Sequence, residues 1–174
     1  LQVLVDSLLA GGQLPPIFSE TFPESLGVEV GVVDMTGTTS VYPGIYDMTV
    51  SMTSHFFATS PTAAPVYWEA DNLTGTWAPQ TAAPAFDPVG GNPVSISGNG
   101  PVGTADAFVS FTSWNPGDGS WTATIDSGFG SVPNGTSFDF VGTASGTGAA
   151  STDGLSGEMI QGTASGIAID NSGG

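Results

Sequence analysis

Apolar and polar residues alternate most clearly on either side of the pentapeptide Asn115-Pro116-Gly117-Asp118-Gly119. Pro presets its own φ, Gly accepts positive φ, and Asn or Asp bonds the adjacent backbone, so these five residues predict a turn. The arms within 105–129 then pair Ser113 with Trp121, Phe111 with Ala123, Val109 with Ile125 and Ala105 with Phe129. One face collects Val109, Phe111, Trp121, Ala123, Ile125 and Phe129, while Thr112 meets Thr122 and Ser110 meets Thr124 on the other. A one-residue slip would set apolar side chains against hydroxyls, so the pattern selects this pairing. It makes Trp121 a core residue and points Trp114 away from the core.

The longest strict alternation runs over 45–57: Tyr46, Met48, Val50, Met52 and Phe56 on one face, Asp47, Thr49, Ser51, Thr53 and His55 on the other. That is a half-buried strand. Val28, Val30 and Val32 predict an earlier strand over 27–35, and Tyr67, Trp68 and Trp77 two short strands around Asn72. Val94 and Ile96 predict another. Residues 78–92, with Pro79, Pro84 and Pro88, read as the longest irregular segment and the natural seat of a binding loop, and 127–135 as a further loop. A turn at Asp153-Gly154 predicts a second hairpin that opposes Phe140 to Ile167, Phe138 to Ile169 and Gly148 to Met159. The repeated Gly-Thr-Ala-Ser-Gly at 142–146 and 162–166 then lies antiparallel to itself, and strands so poor in bulk imply close approach of another backbone, sheet or subunit.

At the start of the chain, Leu1, Leu4, Val5, Leu8 and Leu9 fall at helical spacing before Gly11-Gly12. The same residues read alternatively as a strand donated to a neighbouring subunit. Pro15, Pro16 and Pro23 make 13–26 a connector. The expected organisation is an apolar segment and connector at 1–26, a single all-β domain at 27–170 and a tail at 171–174. The expected fold is an antiparallel sandwich or barrel of about nine or ten short strands, with the N-terminal helix or donated strand appended.

Composition agrees: 26 Gly and 13 Pro in 174 residues favour short strands and turns. Charge narrows function more. The chain has no Lys or Arg against 16 Asp and Glu, so nothing beyond His55 can neutralise phosphate, which excludes nucleic acid and anionic membrane surfaces as partners and argues against nucleotide-dependent phosphoryl transfer. Cysteine is absent, which removes disulfides and thiolate metal sites. A chain beginning at Leu1 reads as processed or excised, its apolar runs are too short for a membrane-spanning helix, and the low charge fits a secreted or surface-displayed protein.

Candidate chemistry is sparse. His55 is the sole imidazole and no Gly-x-Ser-x-Gly elbow accompanies it, so a hydrolase is the third choice of function. Glu69, Asp71 and Asp47 offer carboxylates without a spacing that pairs them. Calcium is the one metal the oxygen-only ligand set admits, at turn-like Asp71, Asp118 or Asp153, but no calcium-loop pattern is present, and no cofactor is expected. Trp68, Trp77 and Trp114, with Tyr67, could present ring faces to a sugar, Trp114 best of all. Gly75-Thr76-Trp77 and Gly119-Ser120-Trp121 resemble the Gly-x-Trp element of lipocalin-like barrels, a tripeptide that assigns no family. Asn72 and Asn134 head N-glycosylation sequons.

These features lead to a non-enzymatic, secreted or cell-surface structural or adhesive protein, a subunit of a filament or surface assembly that associates with itself or with other surface proteins. A carbohydrate- or small-ligand-binding β-module, with a glycan as partner, is the alternative. Crowding of like charge raises carboxylate pKa values in the folded chain, so the folded state binds more protons than the unfolded one and gains stability as pH falls from about 7 toward 4. Thermal melts over that range should show the rise, and a steady fall in melting temperature would refute it.

Overall fold

The computed structural model describes residues 27–41, 46–81, 85–132, 137–150 and 156–171. Alternation becomes strands throughout: β1 (Val28–Ser40), β2 (Tyr46–Ala58), β3 (Tyr67–Pro79), β4 (Val94–Gly100), β5 (Gly103–Trp114), β6 (Ser120–Ser131), β7 (Ser137–Ala150) and β8 (Gly157–Asp170). In β2 every second residue from Tyr46 to Ala58 is buried. The strands form a closed antiparallel barrel in the order β1-β2-β3-β8-β7-β6-β5-β4. The architecture is therefore a barrel of eight described strands, not a sandwich, and the described residues contain no helix. The helix or donated strand expected at Leu1, Leu4, Val5, Leu8 and Leu9 lies outside the described residues.

The order is not that of a consecutive up-and-down barrel. After the β1-β2-β3 meander the chain crosses one barrel end to place β4 beside β1, then runs through β4 to β8 until β8 closes on β3. The β1–β4 seam has four paired positions, Asp34↔Asn99 to Gly37↔Ile96. Glycines permit it: a Cβ on Gly37 would sit 1.7 Å from the Ser95 carbonyl oxygen, and one on Gly98 1.9 Å from that of Asp34.

An eight-stranded barrel has an interior that side chains just fill. Here large rings fill it by lying across glycines of adjacent strands. Phe138 pairs with Gly130, Phe140 with Gly128 and Trp121 with Gly146, and Trp77 pairs with Gly157. Added Cβ atoms would come within 2.4 Å of the Phe138 and Phe140 rings and 2.7 Å of Trp121. Trp68 lies within 2.8 Å of the same position at Gly142 and donates Nε1–H to the Val141 carbonyl at 3.2 Å. The bulk that the Gly-Thr-Ala-Ser-Gly strands lack is supplied by tryptophans of β3 and β6. The two repeats do lie antiparallel, Gly142↔Gly166 through Ser145↔Thr163.

β-Bulges correct several expected pairings. In the first hairpin Phe111↔Ala123 and Val109↔Ile125 hold, but a shift after Val109 brings Ala105 opposite Gly130 and turns Phe129 outward, 49% exposed. A second shift between Phe111 and Ser113 pairs Trp114 with Trp121 and swings Trp114 against the core. Trp121 is buried as expected, whereas Trp114 does not point away. In the second hairpin Gly148↔Met159 holds and a shift past Ser145 places Phe140 opposite Ala168, leaving Ile169 exposed; its predicted turn at Asp153-Gly154 lies outside the described residues. The two short strands expected around Asn72 are one strand, β3, bulged at Asp71, and β6 continues through Ser131 where a loop was expected.

Replacing Gly128 with Ala should cost about 1–3 kcal/mol by forcing the Phe140 ring aside, while Gly117→Ala, whose added carbon would meet only the Asn115 Oδ1 at 3.2 Å, should be near neutral. Denaturant unfolding of Gly128→Ala, Phe140→Leu and the double variant should show the second change relieving the first; simple additivity would contradict the contact.

Candidate functional site

Two surface features stand out, one at each half of the barrel. At the end where β3 leads to β4, the crossing segment covers the opening and inserts Phe86. The ring stacks on Trp77 at 4.2 Å and 17° and meets Tyr46 and Trp114 edge-on at 5.3 and 5.4 Å. The segment is fastened by Gln80, which bonds Asp47 and the Ser40 hydroxyl, by Asn92 N–H to the Val41 carbonyl at 3.0 Å, and by a Val89 N–H to Asp87 turn. The described part of the segment expected to seat a binding loop is thus anchored inward through Phe86 and also lines a cleft.

The cleft, of about 490 Å³, has Phe86 and Trp114 as apolar lining and Pro116, Asp118, Gly119 and Gly148 around them. Its β5–β6 wall is stiff: Asn115 Oδ1 accepts Gly117 N–H, Asp118 Oδ1 accepts Ser120 N–H, and Gly119, at φ 74°, offers its carbonyl to Gly148 N–H. The volume suits a small ligand. The indole N–H groups of Trp77, Trp114 and Trp121 are buried without a hydrogen-bond partner among the described residues, an unspent capacity worth about 1–3 kcal/mol per group.

The second feature is on the outside of the other half. Val141 pairs with Ile167, Ile167 with Tyr67, and Tyr67 with Phe57, so four outward apolar side chains form one row across β7, β8, β3 and β2. Ile169 lies one outward position along from Ile167, and Phe129 flanks Asp139 on β6; Val141 is 38% and Ile169 49% exposed. The Phe57 and Tyr67 rings are 5.7 Å apart. Hydroxyl pairs such as Thr38↔Thr49, Thr49↔Thr76, Ser51↔Thr74 and Thr124↔Thr143 cover much of the remaining outer surface, where Phe108, Val28, Val66 and Val89 are exposed as well.

Polar groups border this row. Tyr67 Oη donates to Glu69 at 3.2 Å, and burial, reinforced by the Glu69 charge, raises its phenol from 10.0 to about 12. His55 Nδ1 lies 2.9 Å from Glu29. At the cleft, the Ser120 hydroxyl and amide both donate to Asp118 and lower its pKa, opposite to the rise expected of crowded carboxylates. Among the described residues no three acidic or histidine side chains gather to hold a metal.

The predicted residues therefore separate. Trp77 and Trp114 meet at 5.7 Å beneath the crossing segment, Trp77 buried and Trp114 reaching the cleft. Trp68 is fully buried at the other half against Phe56 and Phe140, and Tyr67, its chain neighbour, faces outward. Asn72 is exposed on β3; Asn134 lies outside the described residues. Phe86 was missed, its signal being a single ring between Pro84 and Pro88. Phe129, Ile167 and Ile169 had been assigned inward, and only the bulges reveal the row.

Because the folded phenol keeps its proton where the unfolded one has lost it, Tyr67 contributes stability fully below pH 10 that is lost as pH rises toward about 12. Spectrophotometric titration of Tyr67→Phe should delete a phenol that ionises near 12; loss of one ionising near 10.0 would contradict the environment described.

No family model, no curated protein and no solved structure matches this chain. Its function is argued from these two surfaces alone.

Proposed function

We propose that this chain is a secreted or cell-surface structural subunit that assembles with copies of itself or with other surface proteins through the outer face of its barrel. The observation that carries this reading is the outward row Val141–Ile167–Tyr67–Phe57, in which Val141 is exposed and the other three are half-buried, with the exposed Ile169 and Phe129 beside it. Apolar side chains set contiguously on an outer face mark an interaction site. The filled, plugged interior favours a protein that works through its exterior. At a formal charge of −16, association is opposed by repulsion between copies, which salt or mild acid relieves.

The cleft favours a second reading, a site for a sugar or similar uncharged ligand: Trp114 and Phe86 line it beside the polar turn at Asp118 and Gly119. Titration with oligosaccharides should then perturb tryptophan fluorescence in the native protein and not in Trp114→Ala.

Light scattering coupled to size-exclusion, with negative-stain imaging, tests the leading reading. Oligomers or filaments should form and grow with ionic strength and as pH falls toward the isoelectric point near 4.1. A monomer under all these conditions, with no partner required, would refute it.

A further inference from the structure

We propose that the apolar outer row is the docking site for residues 1–9 of a second copy of this chain, so that the assembly grows head to tail; this rests on the assembly reading above. The row lies at the end of the barrel where the chain enters β1. A Cβ on Gly27 would be 3.1 Å from the Phe57 Cβ, so Gly27, the first described residue, sits at the rim of the row itself. Residues 1–26, outside the described part of the structure, carry Leu1, Leu4, Val5, Leu8 and Leu9 with only Asp6 as a charge among the first nine. An apolar segment with a single carboxylate can approach a face bordered by Asp139, Glu69 and Glu29 with little repulsion.

Two geometric points choose the mode of docking and the copy. The four strands of the row, β7, β8, β3 and β2, are each paired on both sides, so a segment docks on the row by its side chains, not by adding a strand. The row spans four strands, about 15 Å at ordinary strand spacing, and begins beside Gly27. The connector at 13–26 contains three prolines, and its 14 residues would reach about 40 Å if extended. Such a spacer carries Leu1–Leu9 beyond its own row and onto a neighbour's. Segment and row are different surfaces, so the contact is heterologous and propagates as a filament unless it closes into a ring.

Complementation in the full chain tests this. Leu4→Gln/Leu8→Gln disables the segment and Val141→Thr/Ile169→Thr disables the row, with the charge unchanged in both and the row positions exposed enough to spare the core. Each variant should need about tenfold or more protein to associate, and an equimolar mixture should form one-to-one dimers that grow no further. If the wild type assembles and the mixture stays monomeric, or if the segment variant assembles like the wild type, the inference is overturned while the assembly reading stands. A wild type that never associates overturns both. Circular dichroism on each variant separates loss of docking from loss of fold, and a row variant that unfolds is replaced by Val141→Thr alone.

Discussion

The barrel depends on one kind of contact, a large ring inside the barrel laid across a glycine on the next strand. Phe138 on Gly130, Phe140 on Gly128, Trp121 on Gly146 and Trp77 on Gly157 repeat it around the interior. The contact works in both directions. Without the glycine the ring has no room, and without the ring the glycine strand would leave a void whose lining loses its dispersion contacts. It also explains why the glycine-rich β7 and β8 are ordered strands instead of flexible linkers. The glycines Gly37 and Gly98 play the complementary part at the β1–β4 seam, where backbones approach too closely for any side chain.

Filling the interior in this way decides what the exterior can do. Ring bulk closes the lumen, Phe86 covers one end, and function is left to surfaces: a rim cleft and an outer row. With no cation besides His55, which faces Glu29, the surface offers hydroxyls, carboxylates and that row. Carboxylates repel other copies, and hydroxyls are indifferent. In the proposed assembly the row is the attractive element, and it lies beside Gly27, where the described chain begins.

Much of this was legible in the residues. The strict alternation of β2 placed Tyr46 to Phe56 inside without error, the Asn115–Gly119 turn set the middle of the first hairpin, and the turn expected at Asp153-Gly154 set Gly148 opposite Met159 in the second. What escaped was the phase change at each β-bulge. A bulge inserts one residue and reverses inside and outside beyond it. Nothing local marks Asp126 as the extra residue, so Phe129 read as core; Gln161, at φ 55°, lies at the corresponding shift in β8, beyond which Ile169 is outward. Ile167, Ile169 and Phe129 reach the outer face in this way. Trp114 moved in the opposite sense, from surface to cleft, by the same device. Closure into a barrel was undetermined for a different reason: a sandwich and a barrel share alternation, and the distinction lies in the non-local β3–β8 and β1–β4 pairings.

The ring-on-glycine arrangement is tested most directly by the α-proton resonances of Gly128, Gly130, Gly146 and Gly157. Lying against ring faces, they should be shifted strongly upfield, with nuclear Overhauser contacts from Gly146 to the Trp121 indole and from Gly128 to the Phe140 ring. Glycine α-protons at ordinary positions, or contacts to other rings, would contradict the account of how this barrel is built.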